Sequence, residues 1–442
     1  NGYQALLLNT TGGGNTALGS NALLNNNADD NIAIGATALY YNTTGTRNTA
    51  IGTLSLVGNT TGNDNTATGY RSLEFNTGSN NTATGSWALR SNTTGSANAA
   101  LGTDALRNNL TGLNNVALGY QALTNNNNGN NNTATGAGAL TANSSGSNNT
   151  AVGTSSLMAN TASNNTAVGF NALMHNTTGL GNTAHGTAAL ASNIDGQFNT
   201  AIGDGSLVSS NAQLNVAVGY SALHDNTTGA QNTAIGSNAL LANITGNQNT
   251  ALGLNADVSS GNLTNATTIG YGAIVDASNK VRIGNAAVTV IEGQVAYTFP
   301  SDGRFKTNVT ESVKGLDFIM KLRPVIYNLQ AKKMDEFKNG NFLNAKFTTT
   351  DYTPIESMRQ SGFIAQEVEN AAIATGYDFN GIKKPQNEHD TYGLSYSQFV
   401  VPLVKAVQEQ QTIIEKQNDE LKKLKEKVEA LAKMVQTLSS NK

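Results

Sequence analysis

The sequence predicts a mainly β chain: a parallel β-solenoid of about 17-residue coils, a small α+β domain, and a C-terminal coiled coil. Three observations predict it. One phrase recurs about every 17 residues over the first 260, composition changes after about residue 271, and residues 400–442 hold heptads. The 442 residues exceed what one compact core organises, so at least two regions are expected. The boundaries read as a repeat shaft or head over 1–270, a β neck over 271–300, an α+β domain over 301–399 and a coiled coil over 400–442.

The repeated phrase is Asn-Thr-Ala-(Ile/Val/Leu/Thr)-Gly, two variable residues, a small residue, Leu, and usually Asn-Thr-Thr-Gly. It starts at Asn15, Asn31, Asn48, Asn65, Asn81, Asn98 and Asn115 and continues from Asn132 to Asn249. A fixed period of this length marks a solenoid, in which each unit buries its apolar face against the next. Each repeat holds two short apolar pieces, such as Thr233-Ala234-Ile235 and Ala239-Leu240, bounded by the turn residues Gly and Asn. Alternation along a strand places the first and third residues of Thr-Ala-Ile on one face. Those positions are mostly β-branched or Leu, so this face is expected to point inward, with close backbone packing over the fixed Ala (Ala17, Ala50, Ala83, Ala151). The fixed Gly calls for φ > 0 or an approach too close for a Cβ. The later Leu (Leu6, Leu23, Leu56, Leu240) is the expected core plug, and the Asn column is expected to satisfy turn backbone in successive coils.

A second period lies above the first. The residue after the Gly is aromatic at Tyr70, Tyr120, Phe170, Tyr220 and Tyr271, about three coils apart. At ~4.8 Å per coil the rings recur about every 14 Å along one edge. Two readings stay open: rings that fill a local gap, or a ladder of sugar-stacking platforms. His185 occupies a position read as inward, and is either a buried or axial histidine or a ligand site. His175 and His224 follow the core Leu and are expected at an exposed turn. Asp29-Asp30 is an isolated acidic pair and a weak calcium candidate, because calcium-binding repeats carry an Asp in every coil. This repeat pattern resembles the head domains of trimeric autotransporter adhesins over residues 2–270. The resemblance implies a trimeric β-roll, although the coils here are longer than that family's.

Beyond the repeats, Lys280-Val281-Arg282-Ile283-Gly284-Asn285 and Val288-Thr289-Val290-Ile291 alternate like strands and suggest the neck. Then come Ser301-Asp302-Gly303-Arg304-Phe305-Lys306-Thr307-Asn308-Val309, Gly315-Leu316, Leu322-Arg323-Pro324-Val325-Ile326-Tyr327-Asn328, Ser361-Gly362-Phe363-Ile364-Ala365-Gln366-Glu367-Val368 and Tyr392-Gly393-Leu394-Ser395-Tyr396. In this order they resemble the C-terminal intramolecular chaperone and auto-processing domain of phage endosialidase tailspikes and tail fibres, from 301 to about 410. The resemblance implies a domain that trimerises, templates the fibre upstream and cuts itself off before a serine. It places the catalytic Ser and Lys at Ser301 and Lys306 and the scissile bond at Pro300–Ser301. Serine becomes a nucleophile when a base takes its proton, and lysine is that base when burial or a neighbouring cation favours its neutral form. Arg304 is a candidate neighbour, with Asp302 opposing it. Five residues of helix turn ~140°, so the segment must fold back or Lys306 must come from another subunit.

The last segment is a coiled coil by its heptads. Val400, Val407, Ile414, Leu421, Val428 and Val435 fall seven apart, as do Leu403, Gln410, Gln417, Leu424, Leu431 and Leu438. β-Branched residues at the first seam position with Leu at the second favour dimers on peptide rules. The two Gln in the seam and the family resemblance favour trimers.

Charge narrows the function. The formal net charge is −3, built from four Arg and nine Asp/Glu in residues 1–270 against 22 Lys/Arg and 20 Asp/Glu beyond. A nearly neutral rod lacks the basic track that nucleic acid requires. The absence of cysteine excludes disulfides and thiolate metal sites, and neither a cofactor nor a metal is expected. No apolar run reaches the ~18 residues of a membrane helix, so no membrane insertion is expected. Gly2-Tyr3-Gln4-Ala5-Leu6 matches Gly119-Tyr120-Gln121-Ala122-Leu123, so the chain starts mid-repeat and missing targeting signals carry no information.

The reading is a homotrimeric extracellular fibre, on a virion tail or a bacterial surface, that contacts a surface glycan or receptor. Its C-terminal chaperone aligns three repetitive chains that otherwise slip in register. The alternative is a cell-surface adhesin of the same build. A glycan-cleaving enzyme needs paired carboxylates that the rod lacks, and an ice-binding rod is set aside because its Thr columns are read as inward.

Overall fold

The computed structural model describes residues 1–295, 297–339, 350–388 and 390–440. These form two units, residues 1–285 and the described residues from 286 onward.

The first unit is a parallel β-solenoid. Seventeen short strands, from Thr16–Leu18 to Val281–Ile283, form one sheet in which each pairs in register with the next coil. The alanines stack as a column, Ala17 on Ala33 on Ala50, as far as Ala251. A second, two-stranded ladder joins Asp257–Val258 to Ile274–Val275.

The faces of the strand are the reverse of the sequence expectation. In Thr49–Ile51 and its counterparts the middle Ala is buried, while the first and third residues lie outward. Ala fills the inner position because the coil is narrow and the Leu of the following turn (Leu23, Leu56, Leu240, all fully buried) fills the rest of the core. The β-branched and Leu residues therefore form a stripe on the outside, with Leu101 50% and Leu118 44% exposed. His185, in the same column, is exposed on this face, so the buried reading is corrected. The Thr columns are likewise outward. The ground for setting aside an ice-binding rod thus fails, but Thr-Ala-Thr occurs only at 66–68, 82–84 and 133–135 and makes no continuous array.

The fixed Gly and Asn have the expected roles. Gly52 has φ 131°, and a Cβ there would lie 2.5 Å from the carbonyl oxygen of Gly69 in the next coil. The buried Asn48 side chain accepts the Asn65 N–H at 3.0 Å and donates from Nδ2 to the Gly62 carbonyl at 2.8 Å. Asn59, in a second buried column, donates to the same Gly62 carbonyl and to Asn42 Oδ1, each at 3.0 Å. The ladders satisfy backbone groups that a narrow coil cannot pair by itself. The core Leu holds φ near 50° (Leu56 49°, Leu73 50°), a left-handed conformation uncommon for a bulky residue. It is tolerated where the buried side chain is held by the coils on both sides.

The solenoid also extends past the expected boundary. Val281–Ile283, read as neck, is the last rung of the main sheet, paired with Thr267–Ile269. Val288–Ile291 forms no strand.

The second unit has two small antiparallel pairings, Val325–Asn328 with Arg359–Gly362 and Ile382–Lys383 with Gly393–Leu394. Helices span Leu316–Ile319, Ala331–Asn339, Thr353–Ser357, Ala365–Thr375 and Val400–Ser440. Phe318, Val368, Phe379 and Phe399 form its core. Glu409 of the long helix accepts the Leu316 N–H at 2.7 Å, which ties the first helix to the last. Past Ala406 the long helix has no buried residue, and its seam residues Leu421, Leu424, Val428 and Leu431 are exposed.

Candidate functional site

The segment after residue 300 folds back on itself. Gly303–Phe305 form a single 3-10 turn, in which Asp302 caps the Arg304 N–H and the Lys306 N–H donates to the Gly303 carbonyl. The turn rotates Lys306 toward Ser301, and its Nζ donates to Ser301 Oγ at 2.8 Å. Of the two routes the spacing allowed, the fold-back within one chain is the one present. The contact is nucleophile to candidate base at hydrogen-bond distance.

Neighbouring charges are arranged otherwise than expected. Arg304 does not turn to the lysine. It grips Asp302 through Nε and Nη2, at 2.6 Å for the closest contact, and this hydrogen bond, with the Arg304 N–H, holds the Asp302 carboxyl below its ordinary range. Ser301 and Lys306 are both exposed in the single chain, and Val295, Tyr297, Phe299, Phe305 and Val309 around them are more than 70% exposed.

The other C-terminal motifs converge. Arg323 forks onto Glu367 with contacts of 2.5 and 3.1 Å, joining the Leu322-Arg323-Pro324 motif to the Gly362–Val368 motif. The Tyr396 hydroxyl accepts the Phe363 N–H at 3.0 Å, which brings in the Gly393–Tyr396 motif. At Gly362 a Cβ would lie 2.2 Å from that hydroxyl. Sequence reading placed these motifs in order but did not foresee the two pairings. The available signal is Glu367, the one acid in its motif, facing Arg323, the one cation in its own.

The five aromatic positions all lie outward on the rod: Tyr70 44%, Tyr120 56%, Phe170 55%, Tyr220 61% and Tyr271 39% exposed. They are widely spaced rather than gathered into one site. His175 is exposed, whereas His224 is half-buried with Nδ1 2.6 Å from Asp225. Among the described residues no group of three metal-ligating side chains occurs, and no helix is long and apolar enough to cross a membrane.

Residues 301–377 match the family model described as chaperone of endosialidase. The match begins at Ser301 itself. Together with the parallel β-solenoid, it fits an endosialidase-type C-terminal chaperone domain following a tail-fibre-like rod. No curated protein matches the chain.

Proposed function

We propose that the chain is one protomer of a homotrimeric extracellular fibre, a tail fibre or phage-like receptor-binding fibre. Its C-terminal domain trimerises, sets the register of the rod and then cuts the Pro300–Ser301 bond. The observation that carries this reading is the Lys306–Ser301 contact at the first residue of the chaperone match. Two uncovered apolar seams support assembly: the stripe on the outer face of the rod sheet and the heptad seam of the long helix. In each the apolar side chains lie on one line along the element, as a self-association surface requires.

The chemistry closes within the segment. Neutral Lys306 takes the Ser301 Oγ proton, and Oγ adds to the Pro300 carbonyl carbon. The C–N bond to Ser301 breaks as nitrogen takes up a proton, leaving an ester between Pro300 and Oγ. Water hydrolyses it to a Pro300 carboxylate and a free Ser301. An amine loses its charge more readily when desolvated. Cleavage therefore waits for the exposed apolar residues around 295–309 to be covered by neighbouring subunits.

The test is intact mass under denaturing conditions, with sedimentation of the native sample, for wild type and Ser301→Ala. A fragment of residues 301–442 in wild type alone, from a trimer, is the expected result. Full-length chains in both would remove the self-cleavage claim and leave a permanent clamp. Monomers in both would remove the fibre.

A further inference from the structure

We propose that three adjacent coils spanning residues 70–107 form a binding site for a carboxylated polysaccharide, laid along the rod over a block of Arg, Trp and acid side chains. Residues 1–270 contain four Arg and no Lys, and three of those Arg lie in these coils with the only Trp of the chain. The placement is ordered. Two residues after the repeat's Gly stand Arg71, Trp87 and Asp104, in consecutive coils bonded through Trp87 N–H to the Tyr70 carbonyl and Asp104 N–H to the Ser86 carbonyl. One residue after the core Leu stand Glu74, Arg90 and Arg107. In the other coils these two positions hold no charged residue, apart from the titratable His224.

The block is tightly coupled. Arg90 Nε lies 2.6 Å from Glu74, Arg71 Nε 3.8 Å from the same carboxylate, and Arg107 3.4 Å from Asp104. The guanidiniums of Arg71, Arg90 and Arg107 sit over Tyr70, Phe75 and Trp87 at 5.3, 5.7 and 4.8 Å. Three cations face two carboxylates, so positive charge is left over on a rod where acids otherwise prevail. One column is also unfinished. Trp87 Nε1 is buried without a hydrogen-bond partner, and Arg71 Nε and Asp104 Oδ1 in the coils on either side are buried with only the long ion-pair contacts of 3.8 and 3.4 Å. Buried polar groups are normally paired, and one orphan flanked by two loosely paired groups, beside partly exposed arginines, points to a partner outside the chain.

The chemistry of that partner follows from the side chains. Guanidinium forks match carboxylates in plane and in number of donors. The Tyr70 and Phe75 rings, both nearly half exposed, offer apolar faces to the C–H face of a sugar ring. The coils repeat at ~4.8 Å, the scale on which a linear polysaccharide repeats its sugars. This rests on the surface-glycan contact of the fibre reading and gives it a place and a charge.

Trp87 is the only Trp, so Trp-selective fluorescence of the full chain reports this site alone. The probes are oligogalacturonate and the same oligomer with its carboxylates methyl-esterified. A saturable change with the acid, at least tenfold weaker for the ester and for both Arg107→Gln and Arg71→Gln, is expected. Equal binding of acid and ester, unchanged affinity in both variants, or no saturable change with either probe overturns the site. Sedimentation of the same samples separates the failures. A silent trimer overturns this inference alone, whereas a wild type that is not trimeric overturns the fibre.

Discussion

Replacing Asn115 by Ala tests what the polar ladder contributes. Asn115 is fully buried in the middle of the rod. Its Oδ1 accepts the Asn132 N–H at 3.0 Å and Asn132 Nδ2 at 3.2 Å, while its own Nδ2 donates to Asn98 Oδ1 at 3.1 Å and to the Gly129 carbonyl at 2.9 Å. In Asn115→Ala the Gly129 carbonyl keeps a partner, because Asn126 also donates to it at 2.9 Å. The Asn132 N–H keeps none. One orphaned buried donor costs ~1–3 kcal/mol and each lost hydrogen bond ~1 kcal/mol, so the local loss is ~3 kcal/mol. Hydrogen exchange at the Val116 and Thr133 amides, which bond to the Asn132 and Asn149 carbonyls, reads the local opening. At ~1.4 kcal/mol per tenfold, both amides should exchange ~100-fold faster. Thr111→Ala, at an exposed position one turn away, is the control and should shift exchange by less than ~0.5 kcal/mol. If Asn115→Ala exchanges like this control, the ladder is decoration and the argument for buried Asn fails.

The heptad seam predicts that Leu424→Asp with Leu431→Asp converts the assembly to monomers at micromolar concentration in sedimentation, while far-UV dichroism of the rod stays unchanged. Asp257 predicts a pH effect. Burial pushes its carboxyl up to about 7, opposed by the N–H groups of Val258 and Ala242, with the Asp225 charge adding to the rise. The folded state therefore binds the proton more tightly than the unfolded chain. The stability this gives is complete below about pH 4 and is lost as pH rises through about 7. Because Asp257 retains some surface exposure and three N–H contacts, the effect should be of order 2 kcal/mol. Asp257→Asn should flatten the dependence between pH 4 and 8, and equal slopes for both proteins in thermal melts would refute it.

The sequence by itself determined the solenoid and its coil length, because a solenoid coil must repeat its turn chemistry: Gly52 where a Cβ meets the next coil, Asn48 where backbone needs a side-chain partner, Leu56 where one large group fills the core. It also located the chaperone segment through ordered motifs. Period two told which residues share a strand face but not which face is inside. That depends on the width of the coil, which admits Ala and turns Thr49 and Ile51 outward, so the rod's stripe and His185 were legible only in the tertiary structure. The same holds at Ser301. Its distance in sequence from Lys306 is compatible with many arrangements, and a 3-10 turn capped by Asp302 is what brings Nζ to Oγ. The block at 71–107 was written in the sequence as three clustered Arg and a single Trp. Only stacking of successive coils sets Arg71, Trp87 and Asp104 side by side, because neighbours on a solenoid surface are about 17 residues apart in the chain.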